Sequence, residues 1–513
     1  MALAAHNIAR VKVAEMKALF ASVVVLAGCS TDFAPQACAV DGDCGTGLVC
    51  EARGNANVCV HADDAPLIIG ESAPISGTNQ ALGTGMKLGI ELAFDEQNAM
   101  GGVRGRMLQL QFRDDAYQPN LAESNARELT DAQVLQGEHP KCPSSSAMIA
   151  GNAPVSTTAL KRGPNAVLAM LGNVGTPTMV RAAPIAVETG TVFFGAFTGA
   201  STVLRDATCA DCGKYIFNVR ASYAQEARAT MELFKNRQIS SYKNMISFDQ
   251  NDSYGQSGYD GLVQAYKDVF GSFPGSADDT NPIARFRYTR NDDTSVPVQA
   301  ASAESYIADI LENTSGTVTI GVMMTDTYGA GGDFIIALRT WQFANDSQQT
   351  NLMKATRLKL VFSNVSFVGP DALSEKLVAA GTVPNSTIKY TQDVVVSQVV
   401  PNYQSDASDV VTSYMTLIAA KGATPGFTSL EGYVSARVFI AGLLAHKGPF
   451  TADSLVETFE TLPDLSLGVG ATSGFSQSNH QYSNSVWGTS IQPDGSFKNL
   501  YFWSVGQSIQ FFE

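Results

Sequence analysis

Short apolar runs alternate with amphipathic stretches from residue 66 to about residue 400, and this alternation constrains the fold more than any other feature. The first run, 66–70, is followed by a helical stretch over 85–98 and by a second extended stretch over 107–113. Strands and helices that alternate in this way form parallel sheets covered on both faces by helices. Roughly ten strand–helix units are more than one doubly wound sheet contains. The pattern therefore predicts an α/β protein with two lobes.

The later strands of this pattern are predicted from further apolar runs. They are 166–171, 191–195, 215–219, 243–248, 318–324, 358–362 and 394–399. Two segments rich in small and polar residues, 139–164 and 207–213, interrupt the rhythm and are predicted to be surface excursions.

The composition argues against a membrane-spanning body and against nucleic-acid binding. The chain has 513 residues, a formal charge of −14 and no apolar run of about 20 residues that would form a membrane-spanning body. An acidic surface repels phosphate backbones, so nucleic-acid binding is not expected.

The N-terminus has the features of an export signal. Basic residues up to Lys17 precede a short apolar run over 18–28 that ends at Cys29. Small residues before a cysteine are typical of a bacterial lipoprotein signal, so residues 1–28 are predicted to be removed and Cys29 to be lipidated. The alternative is a buried N-terminal helix. Translation could start at Met1 or at Met16.

Residues 29–65 are predicted to be a linker that is rich in cysteine. Two disulfides are expected outside the cytoplasm, and three connectivities are possible for the four cysteines Cys38, Cys44, Cys50 and Cys59. Zinc binding is the competing interpretation, although these spacings do not match the usual paired zinc knuckles. The segment is interpreted as a stapled spacer between the lipid and the body.

Three further cysteines are odd in number, so one of them could remain free. Cys142 could form a disulfide with the loop that carries Cys209 and Cys212. A Cys-x₂-Cys pair could also be a redox motif, but that motif opens a helix after a strand. This pair precedes a strand, which favours a structural role.

Ligands of open parallel sheets bind at the carboxyl ends of the strands, so the turns at those ends are candidate binding sites. In the first turn, Thr176 is predicted to be a helix N-cap, with Pro177 at the first helical position. The free amides of that helix turn would bind a carboxylate, although an ordinary helix cap is the alternative.

Three other strand ends also carry residues that could contact a small ligand. The backbone near Ala196 and the hydroxyl of Thr198 could bind the same anion from the other side. Tyr254 and Tyr328 stand where a strand turns into a helix, and each offers an apolar ring with one hydroxyl that could close over a small ligand. Simple rim packing is the alternative for each tyrosine.

The order of these motifs resembles that of periplasmic solute-binding proteins of the branched-chain amino-acid (leucine/isoleucine/valine) type. The resemblance runs from about residue 66 to about residue 500 and is carried by segments 90–98, 101–105, 172–178, 195–199, 217–223, 253–255 and 364–369. It implies two Rossmann-like lobes joined by a three-crossover hinge, the type I periplasmic binding protein fold. Relatives of this kind deliver solutes to ABC importers, and some act as sensors.

The resemblance also implies roles for individual residues. It places the ligand's carboxylate on Thr176, Ala196 and Thr198, with Tyr254 and Tyr328 closing from the opposite lobe. Ser366 is also expected to line the site.

The chain departs from the pattern of these proteins at the residue that would bind the ligand's ammonium group. Leucine-type binders have an acidic residue for the ligand ammonium where this chain has Ser366, and a hydroxyl cannot replace that charge. Either Asp326 or Asp371 could supply the missing carboxylate. Otherwise the ligand would be an amide, a keto acid or an aromatic acid.

The expected organisation follows from these points. Lobe I is predicted to comprise 66–219 with 400–475, and lobe II 220–399 with 476–513. The expected function is extracytoplasmic capture of a small polar solute by hinge closure for ABC permease subunits. The chain would be lipid-anchored at the periplasmic face of the cell envelope, with no cofactor, metal or nucleic acid.

Two other functions compete with solute delivery. A sensor would use the same clamp to report to a regulatory partner, and sequence does not separate the two. An enzyme is disfavoured, because the histidines lack metal-ligand spacing and no nucleophile elbow or P-loop is present. Gly83-Thr-Gly85 with Gly89 is similar to a dinucleotide loop but lies well beyond the end of its strand.

Overall fold

The structure is a computed structural model that describes residues 36–53, 56–141, 156–200, 213–275, 282–344, 353–465, 467–470 and 474–512. The predicted signal peptide, Cys29, Cys142, Cys209 and Cys212 lie outside these residues. No helix within the described ranges is long and apolar enough to cross a membrane.

The strands are numbered in chain order. They are β1 (Leu48–Arg53), β2 (Ala56–His61), β3 (Leu67–Ala73), β4 (Leu108–Asp114), β5 (Gln133–Val134), β6 (Leu160–Lys161), β7 (Ala169–Leu171), β8 (Val192–Phe194), β9 (Ile216–Phe217), β10 (Met245–Gln250), β11 (Ala284–Tyr288), β12 (Val318–Thr325), β13 (Leu358–Asn364), β14 (Val394–Gln398), β15 (Val486–Ile491), β16 (Phe497–Trp503) and β17 (Gln510–Phe511).

The α-helices are numbered in the same way. They are α1 (Gln80–Ala99), α2 (Pro119–Leu129), α3 (Thr176–Thr189), α4 (Tyr223–Asn236), α5 (Ser253–Phe270), α6 (Val296–Glu312), α7 (Tyr328–Phe343), α8 (Lys354–Arg357), α9 (Pro370–Ala380), α10 (Asp409–Lys421), α11 (Phe427–Ala445) and α12 (Ala452–Glu460).

The cysteine-rich segment folds as a small hairpin of β1 and β2 with two disulfides, Cys38–Cys50 and Cys44–Cys59. Of the three possible connectivities, the structure therefore has the interleaved one. The zinc alternative requires free thiolates and does not fit these bonded cysteines.

The hairpin also packs on the body, which the interpretation as a simple spacer did not anticipate. The guanidinium of Arg104 lies 2.8 Å from the Asp41 carboxylate, and that of Arg106 lies 2.6 Å from Glu51. The Arg104 guanidinium also stands 4.2 Å from the centre of the Phe450 ring. These contacts fix the stapled segment to the end of lobe I where strand β3 begins.

Lobe I is built on a five-stranded sheet in the order β4-β3-β7-β8-β9, and all of its strands are parallel. Its carboxyl-terminal edge carries the turns after β7 and β8, as the strand–helix alternation predicts. Helix α11, which comes late in the chain, packs against α1 on one face of this sheet.

Lobe II is built on an eight-stranded sheet in the order β11-β10-β12-β13-β14-β15-β16-β17. Strands β10 to β14 are parallel, but β15, β16 and β17 are antiparallel, so the expectation of purely parallel sheets is wrong for this end. These last strands are joined by short turns, and a tight turn can connect only antiparallel neighbours.

The glycines near the start of the body serve helix packing rather than phosphate binding. Gly85 and Gly89 lie within α1, on the side where it crosses α11. A Cβ atom on Gly89 would lie 2.0 Å from the Ser429 carbonyl oxygen, and one on Gly432 would lie 2.4 Å from that of Met86. The resemblance to a dinucleotide loop therefore comes from the close approach of two helices.

Three chain segments cross between the two sheets. The first crossing pairs with the last through a backbone bridge between Asn218 and Gln481, and the Ser483 amide donates to the Val219 carbonyl at 3.0 Å. The remaining crossing leaves β14 near residue 399. Three connections of this kind allow two lobes to rotate about a common hinge.

Glu71 is a fully buried carboxyl group on β3, and neither of its oxygens has a hydrogen-bond partner in the described part of the chain. Burial raises the pKa of Glu71 well above its ordinary value of 4.5. The folded state therefore holds a proton that the unfolded state releases above pH 4.5, and this lowers stability as the pH rises.

The Glu71→Gln variant is expected to be more stable than the wild type by about 1–3 kcal/mol at pH 8 and nearly equal to it at pH 4, since glutamine does not titrate. Urea unfolding at the two pH values measures the difference. The control is Glu128→Gln, because Glu128 forms an exposed pair with Arg113 and should matter little. A gain that does not depend on pH would contradict the explanation.

Candidate functional site

The turn after β7 places Thr176 one residue further into the helix than predicted. The N-cap of α3 is Gly175, which has a φ of 96°, and Thr176 is the first helical residue. The prediction that Thr176 is the N-cap is therefore wrong. Glycine is required at the cap because of this positive φ and because a Cβ atom there would lie 2.3 Å from the Tyr117 ring.

The shift frees the Thr176 hydroxyl to contact the neighbouring turn. The hydroxyls of Thr176 and Thr198 lie 2.7 Å apart, and the Tyr223 hydroxyl is 3.3 Å from that of Thr198. The two turns are also joined through the backbone, since the Phe197 amide donates to the Asn173 carbonyl at 2.8 Å. The structure thus brings together the first three predicted site residues, because Ala196 lies in the same turn as Thr198.

Tyr254 and Tyr328 lie in the first turns of α5 and α7, which pack on the lobe II sheet, but they occupy different places. Tyr254 is fully buried, and its hydroxyl donates to the Asp326 carbonyl at 2.9 Å. Burial raises the pKa of Tyr254 well above its ordinary value, so the phenol stays protonated. The Tyr328 hydroxyl lies at the outer rim and donates to the Thr78 carbonyl of lobe I.

Aromatic rings from both lobes fill the space between these tyrosines and the threonine pair. Phe367 of lobe II lies 5.0 Å from Phe197 and 6.1 Å from Tyr117 of lobe I, measured between ring centres. It also lies 4.8 Å from Tyr254, which stands 5.3 Å from Tyr223. Sequence reasoning missed Phe197, Phe367 and Tyr223, although Phe197 stands between Ala196 and Thr198.

Ser366 is engaged with charged side chains of the protein. Its amide donates to the Glu226 carboxylate at 2.7 Å, and its hydroxyl contacts both Glu226 and the Arg220 guanidinium. Arg220 also pairs with Glu226 at 2.8 Å and with Glu431 at 3.2 Å. The cluster around Ser366 and Arg220 thus contains two acidic groups, Glu226 and Glu431, which were not among the predicted site residues.

The two acidic alternatives named from sequence differ in their surroundings. Both oxygens of Asp371 accept hydrogen bonds at 2.8 Å, one from the Tyr403 hydroxyl and one from the Phe427 amide. Burial raises the pKa of Asp371 to about 6. Asp326 is fully buried and accepts a hydrogen bond from Asn364 at 2.8 Å on one oxygen.

The lobes are closed against each other around these residues. Across the rim, the Asn79 amide donates to Asn291 at 2.8 Å and the Gln250 amide reaches the Tyr117 hydroxyl at 3.4 Å. Thr176, Ala196, Thr198, Tyr254 and Ser366 are all buried. A solute can therefore reach them only when the lobes move apart.

A groove of about 320 Å³ remains open at the mouth between the lobes. It is lined from lobe I by Leu82, Gly85 and Thr428 and from lobe II by Gly369 and Asp371. The groove does not include the threonine pair, so it is a surface near the site rather than the site itself.

The two-lobed structure is similar over most of its length to several solved proteins. A possible leucine/isoleucine/valine-binding protein from Rhodopirellula baltica SH 1 is 29% identical and has a TM-score of 0.63 over 86% of this chain and 98% of that chain. A leucine binding protein from Thermotoga maritima MSB8 is 14% identical, with a TM-score of 0.59 over 86% and 99%. The chain has the type I periplasmic binding protein fold.

Sequence comparison supports the same relationship over part of lobe I. Residues 66–137 match the family model described as Periplasmic binding protein. A Leu/Ile/Val-binding protein homolog 2 from Brucella abortus (strain 2308) is 39% identical over 62 residues, which are 12% of this chain and 17% of that protein. The match therefore spans about a sixth of the length of this curated relative.

Solved proteins with this binding-protein fold hold different solutes. A branched-chain amino acid transporter substrate-binding protein from Streptococcus pneumoniae, 14% identical with a TM-score of 0.56 over 86% of this chain and 99% of that one, is in complex with isoleucine. A solute-binding protein from R. palustris, 17% identical with a TM-score of 0.59 over 86% and 97%, is in complex with benzoate.

Proposed function

We propose that this chain is an extracytoplasmic solute-binding lipoprotein that captures a small carboxylate- or amide-bearing solute between its lobes for an ABC importer. The observation that carries the proposal is the pair of buried hydroxyls, Thr176 and Thr198, at adjacent strand ends of lobe I. These groups belong to the edge of a parallel sheet where ligands of such sheets bind.

The proposed site comprises Thr176, Ala196 and Thr198 on lobe I, with Tyr254, Tyr328 and Ser366 on lobe II. In the open state, the threonine hydroxyls and nearby amides would bind the carboxylate of the solute. The aromatic rings that now contact each other would then pack against its apolar part. The solute would favour closure by binding the closed state more tightly than the open one.

Attachment through Cys29 fits this role. A lipid at the N-terminus would join the chain to the membrane, and the disulfide-stapled hairpin that follows is fixed to lobe I through Arg104 and Arg106. Two disulfides are typical of an oxidising compartment, which supports a location outside the cytoplasm. Permease subunits of an importer would then receive the solute from the closed clamp.

A thermal-shift screen of the mature chain tests the proposed function. The screen covers amino acids, their amides, keto acids and aromatic acids, because all of them present a carboxylate or an amide. A solute that binds the folded state raises the melting temperature, and the increase grows with the logarithm of its concentration. If no member of these classes raises the melting temperature at millimolar concentration, the proposed function is wrong.

A further inference from the structure

Arg220 stands at the centre of a buried charge cluster that joins the two lobes. Only 1% of its side chain is exposed, and its guanidinium contacts Glu226 and Ser366 of lobe II. The same guanidinium contacts Glu431 of lobe I at 3.2 Å. The two carboxylates come from different lobes. Burial on its own would lower the pKa of Arg220, but the charges of Glu431 and Glu226 outweigh it and raise that pKa, so the guanidinium stays charged.

The lobe II half of this cluster is held rigidly. Glu226 lies in the first turn of α4 and accepts hydrogen bonds from the Ser366 amide at 2.7 Å and from the Ser397 hydroxyl at 2.6 Å. The ends of two lobe II strands, β13 and β14, are therefore tied to one carboxylate. Rotation of the lobes would leave these contacts in place.

The contact between Arg220 and Glu431, in contrast, joins the hinge to lobe I, because Arg220 lies in a hinge crossing. The carbonyl of Arg220 accepts a hydrogen bond from the Gln481 side chain at 3.2 Å, which ties its backbone to the neighbouring crossing. Glu431 lies on α11, which packs against α1 within lobe I. Rotation about the hinge must therefore change the distance between Glu431 and the guanidinium.

We propose that the Arg220–Glu431 ion pair is a closing latch, in which Arg220 positions the lobes and sets the equilibrium between the open and closed states. The pair is desolvated when the lobes are closed, and water replaces Glu431 around the guanidinium when they part. Removing the Glu431 charge weakens the closed state, because the guanidinium loses its lobe I carboxylate there, whereas water solvates it in the open state. The latch goes beyond the proposed function, since it acts on the lobes whatever solute they hold.

Hydrogen exchange of an amide that bonds across the lobes measures this equilibrium without a ligand. The Phe427 amide of lobe I donates to Asp371 of lobe II at 2.8 Å. In Glu431→Gln, which keeps the side-chain shape, this amide is expected to exchange about tenfold faster than in the wild type. Amides of β8, which lies inside lobe I, should exchange at their wild-type rate.

The matched control is Glu96→Gln. Glu96 pairs with Arg437 of helix α11 at 2.7 Å, but this pair lies within lobe I, so exchange at Phe427 should stay unchanged. Unchanged exchange at Phe427 in Glu431→Gln would overturn the latch. Equal acceleration in β8 would overturn it as well, since that result would mean general destabilisation.

Discussion

The Thr176→Val/Thr198→Val variant is expected to bind the solute found by thermal shift at least about 100-fold more weakly than the wild type, as measured by calorimetry. Two hydrogen bonds to a charged acceptor contribute about 1.5–3 kcal/mol each, and their loss accounts for that factor. Stability should fall by about 2 kcal/mol, because the two hydroxyls that pair at 2.7 Å are removed together, whereas the Tyr223 hydroxyl and the Ala200 amide each lose a contact of 3.3 Å with Thr198.

The control for this variant lies at the other end of the same helix. Thr189 and Thr191 form a second buried hydroxyl pair, 3.1 Å apart, near the carboxyl end of α3. Thr189→Val/Thr191→Val makes the same chemical change away from the site and should leave affinity within about twofold. If both double variants lost the same amount of affinity for the solute, Thr176 and Thr198 would not be part of the binding site.

Replacing Gly89 with alanine is expected to destabilise the protein by about 3 kcal/mol or more. The added methyl group would lie 2.0 Å from the Ser429 carbonyl oxygen and 2.5 Å from the Tyr433 amide nitrogen. Because both atoms belong to the backbone of α11, the helices must move apart. Alanine favours an isolated helix over glycine by about 1 kcal/mol, so helix propensity alone predicts the opposite sign.

Urea unfolding followed by circular dichroism measures this change in stability. The control is Gly42→Ala in the stapled segment, where an added Cβ atom would meet nothing within 4 Å. That variant should stay within about 0.5 kcal/mol of the wild type. A Gly89→Ala protein as stable as the wild type would contradict the described crossing of α1 and α11.

The fold was predictable because its signal is local. Apolar runs that alternate with amphipathic stretches depend on neighbouring residues, and they located most strands of both sheets to within a few residues. The edge strand β11 and the antiparallel strands β15 to β17 were missed, and the pairing of β15 depends on strand β14, about 90 residues earlier. The N-cap of α3 was misplaced by one residue, because the positive φ of Gly175 is a tertiary constraint.

The candidate site was only partly predictable for a related physical reason. Thr176, Ala196 and Thr198 follow strands, and strand ends of a parallel sheet meet at one edge. Arg220 and Glu431 are 211 residues apart in the chain, and no local pattern indicates that they form an ion pair. The pairing of the four cysteines and the docking of their hairpin likewise depend on contacts that spacing does not determine.

A crystal structure of the mature chain with the solute found by thermal shift tests the central claim most directly. We expect the solute between the lobes, with its carboxylate or amide within hydrogen-bond distance of the Thr176 and Thr198 hydroxyls. Phe367 should then contact the solute rather than only Phe197 and Tyr117. A solute bound in the outer groove beside Leu82 and Asp371, with the threonine pair still covered, would contradict the account.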